Sequence, residues 1–138
     1  MSPFEVKHID HIVLRVNDVE RSIAFYESVL GCSVDRRRDD LGMVHLRAGN
    51  SMIDLVDVHG PIGRNGGGAA GSGRRNVDHF CLRIEPFDED AILAHLETFD
   101  LTADKAVMRY GAEGDGSSLY CFDPDGNQIE LKAAALTK

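Results

Sequence analysis

The sequence predicts an α+β fold in which one strand–helix–three-strand unit is used twice. Three observations carry this. The stretch Ile9-Asp10-His11-Ile12-Val13-Leu14-Arg15-Val16 returns, nearly unchanged, as Val77-Asp78-His79-Phe80-Cys81-Leu82-Arg83-Ile84. A self-similar stretch of this kind marks one structural unit used more than once. Each copy is followed by an acidic turn, a run with helical spacing of apolar residues, and three short strand-like segments. The chain has 138 residues, the length of one compact domain. We therefore read residues 1–138 as a single domain, with a first βαβββ module over 7–58, a Gly-rich linker over 59–76 and a second module over 77–134.

Residues 9–16 alternate, with Ile12, Leu14 and Val16 on one face and His11, Val13 and Arg15 on the other. Such a strand is half-buried under helices in an antiparallel or mixed sheet. Asp18 is placed as an N-cap with Glu20 in the first turn. Val19, Ile23, Tyr26 and Leu30 follow at helical spacing, and Gly31 stops the helix, which is expected at about 19–30. Three strands are expected next, at Ser33–Arg37, Met43–Ala48 and Met52–Val56, separated by turns at Asp40-Leu41-Gly42 and Gly49-Asn50-Ser51. Asp54 is out of place as a plain strand former.

The linker begins Gly60-Pro61-Ile62-Gly63-Arg64-Asn65 and runs through Gly, Ala and Ser to Arg74-Arg75. Its composition suits a flexible connection or a mobile lid over Gly63–Gly73. The string Gly66-x-Gly68-x-x-Gly71 matches a dinucleotide fingerprint, but no strand leads straight into it and no apolar helix follows. In the second module, Phe80, Leu82 and Ile84 face one way and His79, Cys81 and Arg83 the other. Glu85-Pro86-Phe87-Asp88 caps a helix whose apolar stripe is Ile92, Leu93, Leu96 and Phe99. Strands are expected at Ala106–Arg109, Ser118–Phe122 and Gln128–Lys132. A glycine-rich loop over Gly111–Gly116 joins the first two, and the turn Asp123-Pro124-Asp125-Gly126-Asn127 joins the last two.

A net charge of -8 argues against nucleic acid as a partner, since a phosphate backbone needs clustered Lys and Arg. No apolar run is long enough to span a membrane, and the N-terminus carries no signal-peptide pattern. The cysteines, Cys32, Cys81 and Cys121, are odd in number and widely spaced, which points to a reduced, cytoplasmic protein without a disulfide framework.

The chemistry concentrates in His11, Asp54, His79 and Glu130. The first strand of each module offers an imidazole and the last strand a carboxylate, all on the polar faces. A lone strand His is ordinarily just a polar residue on a half-exposed face; recurrence at matched positions is what singles these out. Two imidazoles and two carboxylates form a divalent-metal set suited to Zn(II), Ni(II), Mn(II) or Fe(II). His8, His45, His59 and His95 lack such support and read as surface or packing residues. Arg15, Arg83, Arg109 and Tyr120 are candidates to hold an anionic part of a substrate.

The stretches Ile9-Asp10-His11-Ile12-Val13-Leu14, Ser22–Gly31, Asp78-His79 and Phe122-Asp123-Pro124-Asp125-Gly126-Asn127-Gln128-Ile129-Glu130-Leu131 resemble the vicinal oxygen chelate superfamily, which holds glyoxalase I, fosfomycin-resistance enzymes, extradiol dioxygenases and bleomycin-binding proteins. The resemblance implies paired βαβββ modules forming a cupped eight-stranded mixed sheet, glyoxalase-like, with a metal inside. It carries metal-ligand roles to His11, His79 and Glu130. It carries a fourth to Asp54, where glyoxalase I enzymes have the longer Glu. It implies a lyase or isomerase in which Glu130 and Asp54 move the proton, one divalent ion, glutathione or another thiol as cosubstrate, a small-molecule substrate that chelates through adjacent oxygens, and a homodimer. The alternatives are a fosfomycin-resistance or dioxygenase-type metalloenzyme and a non-catalytic ligand-binding protein. Tyr120 falls where fosfomycin-resistance enzymes hold a substrate-contacting Tyr, but no Arg follows the final strand.

Overall fold

A computed structural model describes residues 2–71 and 73–136. The chain forms two compact modules, divided between Ala69 and Ala70. The first contains β1 (His11–Val16), α1 (Val19–Ser28), β2 (Ser33–Arg38), β3 (Met43–Ala48) and β4 (Ser51–Asp57). The second contains β5 (Phe80–Arg83), α2 (Glu89–Glu97), β6 (Val107–Gly111), β7 (Gly114–Phe122) and β8 (Gln128–Lys132).

The two sheets have the same topology. The first is ordered β1-β4-β3-β2 and the second β5-β8-β7-β6. In each, the first strand pairs in parallel with the last, and the other pairings are antiparallel. The parallel pairing follows from the helix, since parallel neighbours need a long crossover and cannot be joined by a tight turn. This is the predicted α+β, twice-used βαβββ plan.

Both helices start as the sequence predicts. Asp18 and Asp88 lie in extended backbone, and each side chain accepts from the third residue on, Arg21 N and Ala91 N. Both ends use a left-handed residue. Gly31 has φ 73°, with Cys32 N donating to Tyr26 O; Asp100 has φ 58°, with Leu101 N donating to Leu96 O. The helices are shorter than expected, α1 ending at Ser28 and α2 at Glu97. Phe99, expected in the apolar stripe of α2, therefore lies in the closing turn, 40% exposed with its ring against His95.

The first core is Leu14, Val16, Val44, Leu46, Ile53 and Leu55 under Ile23 and Tyr26 of α1, all buried. The second is Leu119, Cys121, Ile129 and Leu131 with Leu96 of α2. Two loops differ from expectation. The glycine-rich stretch after β6 is a tight hairpin: Gly111 pairs with Gly114, so β7 begins four residues earlier than expected. The linker carries a 3₁₀ turn at Gly63–Gly66 and an isolated bridge between Gly71 and Arg74, with Ser72 outside the described residues. Among the described residues no helix is long and apolar enough to cross a membrane, which leaves β-barrel spanning unaddressed.

Candidate metal centre

Strand register places the four residues. Across the parallel pairs, Asp54 stands opposite Val13 and Glu130 opposite Cys81. His11 and His79 lie two residues earlier on the same faces, so each imidazole sits diagonally across from a carboxylate. Across the antiparallel pairs, Asp54 faces His45 and Glu130 faces Tyr120.

In each module the preceding Asp holds the His. Asp10 Oδ2 lies 2.8 Å from His11 Nδ1, and Asp78 Oδ2 lies 2.7 Å from His79 Nδ1. A carboxylate at one ring nitrogen fixes the tautomer that leaves the other nitrogen free to accept or ligate. In both cases that other nitrogen is the one nearest the module's carboxylate. His11 Nε2 is 3.8 Å from Asp54 Oδ2, and His79 Nε2 is 3.2 Å from Glu130 Oε1. The charges respond to this. The hydrogen bond that His11 donates to Asp10, then the negative charge of Asp54, raises the His11 pKa. The same bond lowers that of Asp10, and the bond to His79 lowers that of Asp78.

Both carboxylates are buried. The Asp54 side chain is 4% exposed and that of Glu130 8%. Glu130 is well held, with Ser118 Oγ donating to its Oε2 at 2.7 Å. Asp54 is not. Its Oδ1 lies 2.9 Å from His45 Nδ1, yet has no hydrogen-bond donor among the described residues. A buried carboxylate oxygen left without a donor is costly and needs an explanation. A cation at this oxygen would supply it, so the donor set fits a divalent ion. Among the described residues, no three His, Cys, Asp or Glu side chains are already gathered tightly enough to hold one. Each module supplies a His–carboxylate pair.

Tyr120 packs edge-on against His79, with ring centroids 6.0 Å apart, and Arg109 Nε donates to its hydroxyl at 3.2 Å. Both line a pocket of about 380 Å³ with Lys105, Val107, Phe122 and Gln128. The other two arginines are engaged elsewhere. Arg15 donates to the linker carbonyls of Gly63, Gly67 and Gly68 at 2.9, 2.6 and 3.0 Å. Arg83 donates to Glu113 at 2.7 Å, to Ile84 O at 2.8 Å and to Glu85.

Three residues near the centre escaped the sequence reading. His45, which reads in the sequence as a surface or packing residue, stands against Asp54. The signal was available: the turn pairing Ala48 with Ser51 fixes His45 opposite Asp54. Ser118 holds Glu130. Cys81 faces Glu130 in register, and its thiol is pushed up to about 11 by partial desolvation and then by the negative charge of Glu130.

Residues 8–131 match the family model of the Glyoxalase/Bleomycin resistance protein/Dioxygenase superfamily. The chain is 30% identical to virulence protein STM3117 of Salmonella typhimurium, over 91% of this chain and 83% of that protein. The crystal structure of that protein aligns with a TM-score of 0.78 at 25% identity, over 96% of this chain and all of the other. The chain is also 29% identical to the metallothiol transferase FosB of Lysinibacillus sphaericus, over 95% and 85% of the two chains. It shares the fold of a lactoylglutathione lyase from Agrobacterium tumefaciens, with a TM-score of 0.67 at 22% identity, over 96% of each chain. Internal repeat, twice-used topology and family match agree: the chain belongs to the Glyoxalase/Bleomycin resistance protein/Dioxygenase superfamily.

Proposed function

We propose that this chain is a divalent-metal-dependent lyase or isomerase of the glyoxalase I type, acting on a small substrate that presents two adjacent oxygens. One observation carries the reading: each module sets an Asp-held imidazole against a buried carboxylate. His11, Asp54, His79 and Glu130 would supply two nitrogen and two oxygen donors, a set suited to Ni(II), Zn(II), Mn(II) or Fe(II). When bound, such an ion supplies Lewis acidity that polarises a carbonyl and offsets charge on its oxygen.

The chain's own residues do the rest. Glu130 is the proposed base. The bond from Ser118 to Oε2 restricts its rotamer and leaves Oε1 on the His79 side. It takes a proton from the hydroxyl-bearing carbon beside the carbonyl and returns it to the carbonyl carbon, while the hydroxyl proton passes to the former carbonyl oxygen. The net change is an isomerisation that needs no external oxidant. Asp54 offers a second carboxylate for the same transfer. Arg109 and Tyr120, beside the 380 Å³ pocket, are the proposed contacts for an anionic substrate group. Arg15 and Arg83 are assigned to holding the linker and the β6–β7 turn. A thiol such as glutathione is the proposed cosubstrate, and a cytoplasmic homodimer the proposed setting.

A second reading is thiol transfer to an epoxide. It is favoured by the 29% identity to a metallothiol transferase and by Tyr120 on β7 with Arg109 at its hydroxyl. Metal-loaded protein assayed against a 2-oxoaldehyde thiohemiacetal and against an epoxide with thiol separates the two. Turnover of the thiohemiacetal is the expected result, and turnover of the epoxide alone establishes the second reading. Tight binding without turnover of either makes the chain a ligand-binding protein.

A further inference from the structure

We propose that His45 is a further metal donor, so that the first module contributes two imidazoles and one carboxylate. The inference rests on the metal-centre reading above and deepens it.

Three observations lead here. His45 on β3 is the cross-strand partner of Asp54 on β4, so the two side chains share one face at the shortest lateral spacing a sheet allows. Its Nδ1 stands 2.9 Å from Asp54 Oδ1 without the alignment of a hydrogen bond, and that oxygen is buried with no other donor among the described residues. The two atoms make an ion-pair contact without hydrogen-bond alignment, and with Nδ1 unprotonated each offers a lone pair to an ion beside both. Two neighbouring donors on one ion with arms of about 2.1 Å stand about 3 Å apart when they subtend a right angle. The His45–Asp54 edge, at 2.9 Å, has that spacing, and so does the His79–Glu130 edge at 3.2 Å. The His11–Asp54 separation of 3.8 Å is wider.

His45 also answers a chemical shortfall in the chain. Asp54 is one methylene shorter than a Glu and is buried on the sheet face, its side chain 4% exposed. An imidazole directly alongside it extends the reach of the first module by the length of a ring. His45 has room to do so, because its own side chain is 25% exposed. The matched position in the second module is Tyr120, which has no nitrogen donor. The two modules therefore offer unequal donor sets, with the extra imidazole in the one whose carboxylate is shorter.

The test is Co(II) binding, followed by visible absorbance, in wild-type protein and in His45→Gln and His79→Ala variants. Circular dichroism and the melting temperature of each metal-free protein are measured alongside. His45→Gln is expected to weaken Co(II) binding about tenfold or more and to shift the ligand-field bands, with the metal-free melting temperature near that of wild type. Wild-type affinity and bands in His45→Gln, with binding lost in His79→Ala, would overturn the role of His45 and leave the metal centre standing. A lower metal-free melting temperature with unchanged affinity would also overturn it, by making His45 a packing partner of Asp54. Absence of Co(II) binding in the wild type would remove the metal centre itself, and the role of His45 with it. Should His45→Gln not fold, Cu(II)-loaded wild-type protein with ¹⁵N-labelled histidine decides by pulsed EPR. Three coupled imidazoles support the inference, and two overturn it.

Discussion

Asp10 and Asp78 set the chemistry of the two imidazoles next to them. Asp10 at Nδ1 raises the His11 pKa, and its own is lowered in return. For the imidazole, the attraction stabilises the fold fully below 6.5, its ordinary value, and is lost as pH rises through the raised one. For Asp10 it is present above 3.8 and lost as pH falls through the lowered value. In metal-free protein, Asp10→Asn is expected to bring the His11 titration midpoint down toward 6.5, as followed by NMR of the ring protons. Metal binding has the opposite sign, since it needs the neutral ring and should strengthen as pH rises through the His11 midpoint. Asp78→Asn keeps an acceptor at His79 Nδ1 but removes the charge. Its expected cost is about 10- to 100-fold in metal affinity by titration, with the metal-free fold intact because Asp78 is exposed.

The helix ends separate what the repeat conserves from what it does not. Gly31 and Asp100 occupy the same left-handed position at the ends of α1 and α2. A Cβ at Gly31 would meet nothing within 4 Å, so any penalty there is conformational. Gly31→Ala should cost about 1–2 kcal/mol by urea denaturation. Asp100→Gly relieves the same strain and should leave stability unchanged or raise it by up to about 1 kcal/mol. The linker is more fixed than its composition suggests. Arg15 ties three of its carbonyls, and a Cβ on Gly66 would lie 2.3 Å from Arg15 Nε. Composition reports backbone freedom, but it is blind to a guanidinium reaching from a strand about 50 residues away. His45 differs: its partner is legible once the turn pairing Ala48 with Ser51 sets the register of β3 on β4, but not from either strand read alone.

Across the whole molecule, the repeat made the plan legible. Matching Asp-His strands, helix caps at Asp18 and Asp88 and the Asp123–Asn127 turn all carry local signals, and each element formed where those signals placed it to within a few residues. The approach of His11 to Asp54 and of His79 to Glu130 was legible, because alternation fixes faces and the repeat matches positions. The orientation of the rings by Asp10 and Asp78 and the holding of Glu130 by Ser118 were not, since they depend on side-chain rotamers. The cores also differ in depth. Leu14 is 1% exposed, whereas Leu82, its counterpart, is only half-buried. Leu14→Ala should cost about 2–5 kcal/mol and Leu82→Ala less, by thermal or urea unfolding.

The central proposal is that His11, Asp54, His79 and Glu130 hold one divalent ion per chain. It is tested most directly by counting divalent metal per chain in wild type, His11→Ala and His79→Ala, purified without chelator and checked for fold. About one ion per chain, lost in either variant, is the result this proposal predicts. Two ions per chain with each variant losing one, or no ion in the wild type after exposure to Ni(II), Mn(II) and Zn(II), would contradict it.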